Sequence, residues 1–382
     1  MLNRVTLSTA QHSTAQHSTP YFEKNTTAII KGVALVMMFV HHFFTFPEWW
    51  MDGIDYPILK VLAPYFREPL KICVPIFCFL TGYFYYYNKD KSFLYSARKI
   101  TDILIDYWCV FFLFAFIAIR TVHYVYTPIN FLKEMFALTR PTMKFCWYVY
   151  FYYSFMLIFP LIVKALSKNI HFDLFISTLL LPVLLRVVIK ILGIFIVNST
   201  IEQVLNSLAL WFPSVLVGFV FAKNELFEKI SYYNISSKAI DVFLWIVGLF
   251  CVPMGRYFLP SISLNFGVLP IVHTKLTVTV LLDFIYAPTF IYCLVNLCRV
   301  IELKKTQFVL KQIGKHSLLM WFGSCIFYNN SKSVFQPLLY WPHNPILVLI
   351  WGLLICYVFS IALDKGLSII KNIKNKSVFR TS

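Results

Sequence analysis

Lys31 and His42 lie eleven residues apart in the run IKGVALVMMFVHHFFTF, residues 30–46. On a helix, at ~100° per residue, that spacing brings His42 to within roughly 20° of the face carrying Lys31. It also sets His42 ~16 Å further along, about half of a ~30 Å hydrocarbon core. His41 points about 100° away from His42. With Lys31 at the cytoplasmic edge, His42 is expected near the membrane midplane. An ionisable side chain there is costly and reads as functional, with a partner to be found. The chemistry it suits is general base catalysis. A hydroxyl is a poor nucleophile until its proton is taken, and an imidazole titrating near pH 6.5 does that at neutral pH. The competing reading is a histidine hydrogen-bonded to a neighbouring helix, with no chemistry.

Other charged residues sit inside apolar stretches. Arg186 and Lys190 lie four apart on one face of a helix, and Asp283 lies in another. Counted from their span ends, Arg186 is ~16 Å deep and Asp283 ~12 Å deep, so they share a level with His42 and are expected to border one polar cavity. Pairing of Arg186 with Asp283 follows from equal depth. The alternative is that Arg186 and Lys190 snorkel on their long stems, which Asp283 does less easily. Asp102 and Asp106, at the start of a helix, fit capping. Lys31, Arg98 and Lys99 form a basic rim suited to phosphates. Nine cysteines lie mostly within apolar runs, without CxxC or Cys/His spacing, and read as reduced packing residues. No metal site is expected, and no GxSxG, Gly-rich phosphate loop or HExxH occurs.

The elements that must position these residues are membrane spans. Of 382 residues, 59% are hydrophobic and only 13% charged, too little polar cover for a soluble domain. The formal charge of +17 is spread over short loops between apolar runs, which points to cytoplasmic loops and anionic lipid rather than nucleic acid. Ten apolar runs fall at about 28–46, 70–87, 103–120, 147–163, 172–197, 204–222, 239–258, 276–298, 314–330 and 345–363. Lysine and arginine concentrate in the second, fourth, sixth and eighth connections and after the last run. The third connection, with Arg120, Lys133, Arg140 and Lys144, runs against that bias. The expectation is an all-α polytopic membrane protein of about ten transmembrane helices with both termini cytoplasmic. Residues 1–27 are a disordered cytoplasmic tail, 28–365 the membrane domain and 366–382 a basic cytoplasmic tail. No cleavable signal is visible.

The N-terminal tail carries a five-residue repeat, STAQH-STAQH-ST, over Ser8–Thr19. The codons AGC-ACA-GCA-CAG-CAC encode Ser-Thr-Ala-Gln-His and are also three copies of the pentamer AGCAC. A tandem DNA pentamer of that kind gives on/off switching of expression by slippage, that is, phase variation. The bland alternative is a neutral polar tail.

Several segments, in order, resemble the membrane acyltransferase 3 family of bacterial O-acyltransferases. KGVALVMMFVHH matches its first-helix pattern of a basic residue, ten residues and a histidine, with Lys31 where arginine is commoner. VPIFCFLTGYFYY resembles its second helix, with Thr81 for the usual serine and Gly82 matching. SARKITDIL resembles the basic opening of its third helix, and CWYVYFYYSFMLIFPLI its fourth, starting at Trp147. IGKHSLLMW is similar to a G-K/R-x-S-x-x-x-W/Y segment holding Ser317. Family members often have a histidine three residues later; here it is Ser324. The resemblance covers nearly the whole chain, and the extracytoplasmic domain some members carry is not expected here. It implies an integral-membrane O-acetyltransferase of the bacterial inner membrane, moving acetyl from acetyl-CoA to a hydroxyl of a cell-surface polysaccharide or lipopolysaccharide. The acceptor is a glycan, possibly lipid-linked. In that frame His42 is the base, Lys31, Arg98 and Lys99 bind the donor, and Arg186, Asp283, Trp147 and Ser317 serve acceptor binding or the scaffold. The competing classes are a glycan or lipid translocase, a polysaccharide polymerase and an ion-coupled transporter.

Overall fold

The computed structural model describes residues 20–378 apart from 122, 140–141, 144, 167–168, 196–198, 232–237, 259–262, 270–271, 302 and 329–334. The repeat Ser8–Thr19 lies outside the described residues. Among the described residues, the regular elements are helices with one exception. In order come α1 (Lys24–Phe44), α2 (Pro57–Leu70), α3 (Cys73–Tyr87), α4 (Phe93–Thr121), α5 (Pro128–Met135), α6 (Trp147–Ala165), α7 (Ile170–Phe175) and α8 (Leu181–Phe195). Then follow α9 (Ser199–Lys223), α10 (Leu226–Ser231), α11 (Lys238–Phe258), α12 (Val278–Val300), α13 (Lys304–Lys315), α14 (Ser317–Ser324), α15 (Gln336–Tyr340) and α16 (Pro345–Val378). Each apolar run overlaps, among the described residues, one or more of these helices. Among the described residues, eight helical segments are long and apolar enough to cross a membrane.

The architecture is all-α apart from this one short element. Between α11 and α12, β1 (Ser263–Leu269) and β2 (Val272–Thr277) form an antiparallel hairpin, with Ser263 opposite Thr277 and Phe266 opposite Thr274. Leu264, Phe266 and Val268 alternate with smaller or polar residues, the period-2 pattern of a strand. A correction concerns the first connection. Residues 57–70 are a helix, started by Pro57 and separated from α3 by a turn at Lys71 and Ile72. Pro69 and Pro75 each remove a backbone donor there, so the helix breaks.

α1 begins at Lys24, seven residues before Lys31, so Lys31 is inside the helix rather than at its edge. It ends where Thr45 turns its N–H and hydroxyl back to the His41 carbonyl (3.2 and 2.7 Å), with Pro47 following. His42 therefore occupies the last turn, ~27 Å from Lys24, and not the middle of the span. At the other end, α16 runs on to Val378, so residues 366–378 continue the last helix.

Two helix pairs pack backbone to backbone, and the glycines legible in the sequence explain why. A Cβ on Gly82 would meet the Val215 carbonyl oxygen at 1.7 Å, and one on Gly218 the Phe79 oxygen at 2.1 Å, so α3 and α9 touch through both. Likewise a Cβ on Gly314 would meet the Ala28 oxygen at 1.7 Å, which seats α13 against α1. Small residues at such crossings let apolar helices approach where lipid supplies no hydrophobic drive between them. Exposed apolar residues such as Phe250 on α11 and Ile346, Ile350 and Val358 on α16 face outward, as lipid contact requires.

Candidate active site

A cavity of about 1970 Å³ runs between α1, α3, α4, α6, α9 and the α13–α14 pair. Its length follows from α1, since Lys24, at the start of the helix, and His42, in its last turn, both line it. At the Lys24 end the walls carry Lys24, Lys99, Arg299 and Lys315, with Lys31 further in and Glu23, Asp102 and Asp106 opposing. Lys99 lies 3.9 Å from Asp102. Residues ahead of α1 are fixed across this mouth. The Tyr21 N–H donates to the Tyr83 hydroxyl (3.0 Å), Arg299 donates to the Tyr21 carbonyl (2.8 Å), and the Arg299 guanidinium lies 4.4 Å from the centre of the Tyr21 ring. Phe22 is buried and stacks on Tyr83 at 4.7 Å.

At the far end, His42 lines the cavity with a cluster of aromatic rings packed behind it. The His42 ring stacks on Phe145 at 4.1 Å, and Trp49 lies 6.5 Å from it in a near-parallel plane. Trp49 stacks on Phe46 at 3.9 Å, and Tyr328 meets Phe145 edge-on at 5.3 Å. These rings arrive from three connections far apart in sequence. Phe145 is placed by a short helix and turn built around one carboxylate. Glu134 in α5 is fully buried, and its Oε1 accepts from the Thr142 N–H and hydroxyl (both 2.8 Å) and the Met143 N–H (3.1 Å). Its Oε2 accepts from the Tyr126 hydroxyl (2.8 Å). Burial pushes the Glu134 carboxyl up, against the pull of those donors. That segment ends at Cys146, where α6 starts.

His41 also lines the cavity, although it lies about 100° round the helix from His42. The break between α2 and α3 opens the wall on its side, where Lys71 and Cys73 join the lining. His41 is buried and its Nδ1 is 3.4 Å from the Thr45 hydroxyl. Basic groups gather here. Arg67 donates to the Thr45 carbonyl through Nε (3.1 Å) and Nη2 (2.7 Å), closing the end of α1, and Lys71 pairs with Glu68. Arg256 from α11 donates to the Glu68 carbonyl (3.2 Å) and forms a fully buried ion pair with Asp283 of α12.

That pair overturns the expected pairing of Arg186 with Asp283. Equal depth along the chain is satisfied by any neighbouring helix, and α11 packs on α12. Arg186, half-buried on α8, and Asp283 are not among the residues lining the cavity. Of the other candidates, His42, Lys31, Lys99, Trp147 and Ser317 all line it, whereas Arg98 is exposed on the adjoining face of α4. Trp147 stacks on Trp211 at 5.8 Å. Ser324 is buried, donates to the Trp321 carbonyl (2.7 Å) and does not line the cavity. Sequence reasoning missed His41, Lys71, Arg299, Lys315 and Phe145. Lys315 stands in the quoted GKHS segment, where only Ser317 is assigned a role.

No curated protein and no solved structure is significantly similar to this chain. A family model described as an acyltransferase domain matches residues 28–365, the span from the second turn of α1 into α16. With a helical membrane architecture and a cavity joining a basic mouth to a histidine, that match decides for an enzyme over a translocase or transporter: the chain belongs to this acyltransferase family and is a multi-pass membrane acyltransferase.

Proposed function

We propose that this enzyme moves acetyl from acetyl-CoA to a hydroxyl of a cell-surface polysaccharide or lipopolysaccharide, in the bacterial inner membrane. The observation that carries the reading is that one cavity is lined by both the basic mouth and His42. Its 1970 Å³ is about twice the ~1,000 Å³ upper range of ordinary small-molecule pockets, room for an extended donor and part of an acceptor. Lys24, Lys31, Lys99, Arg299 and Lys315 are suited to the phosphates of coenzyme A. We place ten helices across the membrane with both termini cytoplasmic, which puts the mouth on the cytoplasmic side and His42 near the outer side. The ends that this orientation assigns outside, those of α1 and α14 and the start of α6, are the ones that meet around His42.

His42 takes the proton of the acceptor hydroxyl as its oxygen attacks the thioester carbonyl. The C–S bond breaks, coenzyme A leaves as thiolate, and the proton on the imidazole is available to it. A thioester can be attacked directly, so no serine nucleophile is required. The test is mass spectrometry of surface glycan from cells with and without the gene. A difference of one acetyl per acetylated residue is expected, and identical glycans would overturn the reading. The STAQH repeat supports phase variation of that acetylation. Nucleotides that break the AGCAC pattern would remove that part alone.

A further inference from the structure

We propose that Cys146 and Cys325 form a disulfide in the mature protein. Cys146 caps the start of α6 and Cys325 follows the last residue of α14. They are 179 positions apart, yet their sulfurs lie 3.5 Å from each other and both residues are fully buried. A disulfide needs ~2.05 Å, so the two sulfurs stand about 1.5 Å beyond bonding distance. The sequence alone reads all nine cysteines as reduced, because none shows ligand spacing; this contact is tertiary.

Compartment supplies the chemistry. The inference rests on the orientation proposed above, in which both cysteines stand at outer span ends. Thiols delivered to that side meet disulfide exchange rather than a reducing cytosol. The two thiols lose two protons and two electrons to the disulfide of an exported dithiol oxidoreductase. One S–S bond forms in this chain, and the oxidoreductase is released as a dithiol. Oxidation precedes full packing, and burial then shields the bond from reductants. Its place gives it a role. Phe145, stacked on His42, precedes Cys146, and Tyr328, against Phe145, lies three residues after Cys325. The cross-link thus ties together the two segments that hold the rings beside His42.

The test is thiol mapping of the full-length protein. Cells are lysed into denaturant with N-ethylmaleimide, and the chain is digested without reductant. A peptide joining Cys146 to Cys325, two hydrogens lighter than its two thiol halves together, is expected, with maleimide on Cys146 in the C325S variant. Maleimide on both residues in most of the wild-type protein, or a bond from Cys146 to another cysteine, overturns the disulfide. Glycan acetylation measured in the same cells keeps this separate from the enzymatic reading. Free thiols with normal acetylation sink only the cross-link, and a cross-linked protein without acetylation sinks only the acyl transfer.

Discussion

The two ends of the cavity are built in different ways. At the mouth, Lys24, Lys99, Arg299 and Lys315 come from four helix ends, and each lies close to its own turn or loop. At the far end, His42, Phe46, Trp49, Phe145 and Tyr328 form one cluster of stacked and edge-on rings gathered from three distant connections. The mouth works by summed charge, so single residues there are partly replaceable. The far end works by fixed geometry about one imidazole, so a single change there is felt in full. That contrast orders the expected effects.

The largest belongs to His42. A positioned general base contributes ~10²–10⁴ in rate, so His42→Ala is expected to lower acyl transfer by about that factor at matched membrane expression. Donor binding should stay near wild type, because the mouth is untouched. His41→Ala should cost less, since its Nδ1 is 3.4 Å from the Thr45 hydroxyl at the end of α1. Wild-type transfer in His42→Ala would remove the base. A larger loss in His41→Ala would move the role to the neighbouring ring.

Next comes the buried pair behind the far end. Removing one partner of such a pair costs about 3–5 kcal/mol, because the other is left uncompensated. Arg256→Ala and Asp283→Ala should each reduce folded protein in the membrane, and the double variant should recover part of it. Arg186→Ala should not share this coupling. Additive losses in the double variant would show that the two groups act separately.

Part of each end was legible in the sequence: Lys31 and Lys99 at the mouth, but not Arg299 or Lys315, and His42 at the far end, but not the rings around it. Lys31, Lys99 and His42 stood at helical spacing or beside a span, where local pattern is enough. Gly82 and Gly314 were readable as motif residues, and the close helix crossings explain them. Arg256 was passed over because it stands near the end of its run, where a basic residue ordinarily reads as interfacial. Phe145 was invisible for a different reason: a lone phenylalanine in a membrane chain with 39 of them carries no signal. Its role exists only once the Glu134 carboxylate has drawn in the N–H groups of Thr142 and Met143. The hairpin was passed over because its strands lie between two long apolar runs, where a short alternating stretch reads as connecting loop.

A moderate effect is expected at Lys31. A hydrogen bond to a charged group contributes about 1.5–3 kcal/mol, so Lys31→Ala should raise the KM for acetyl-CoA roughly ten-fold or more. The kcat should change little, and Lys31→Arg should retain most of the affinity. Four other cations share the mouth, so the loss should grow when Lys31→Ala is combined with Lys315→Ala. A fall in kcat with KM unchanged would place Lys31 in the chemistry instead, and the contrast between the two ends would fail.

The smallest effect is a pH dependence at Glu134. Its carboxyl is pushed up by burial, so the folded state holds a proton more readily than the unfolded chain. A raised carboxylate contributes stability that is full below its ordinary value, near pH 4.5, and lost as pH rises through the folded value. Stability of the purified protein in detergent should therefore fall modestly with rising pH over that window. Glu134→Gln should flatten the dependence. Its amide oxygen can still accept from Thr142 and Met143, and its NH2 can donate to the Tyr126 oxygen, so Phe145 should stay beside His42. Transfer by Glu134→Gln should then be near wild type, while Glu134→Ala should lose both the loop and several-fold in rate. Thermal unfolding between pH 4 and 8, followed by tryptophan fluorescence, reads the first effect, and turnover reads the second. An unchanged pH slope in Glu134→Gln would assign the dependence to another group. Full activity in Glu134→Ala would mean that the far end keeps its geometry without the carboxylate that organises its approach.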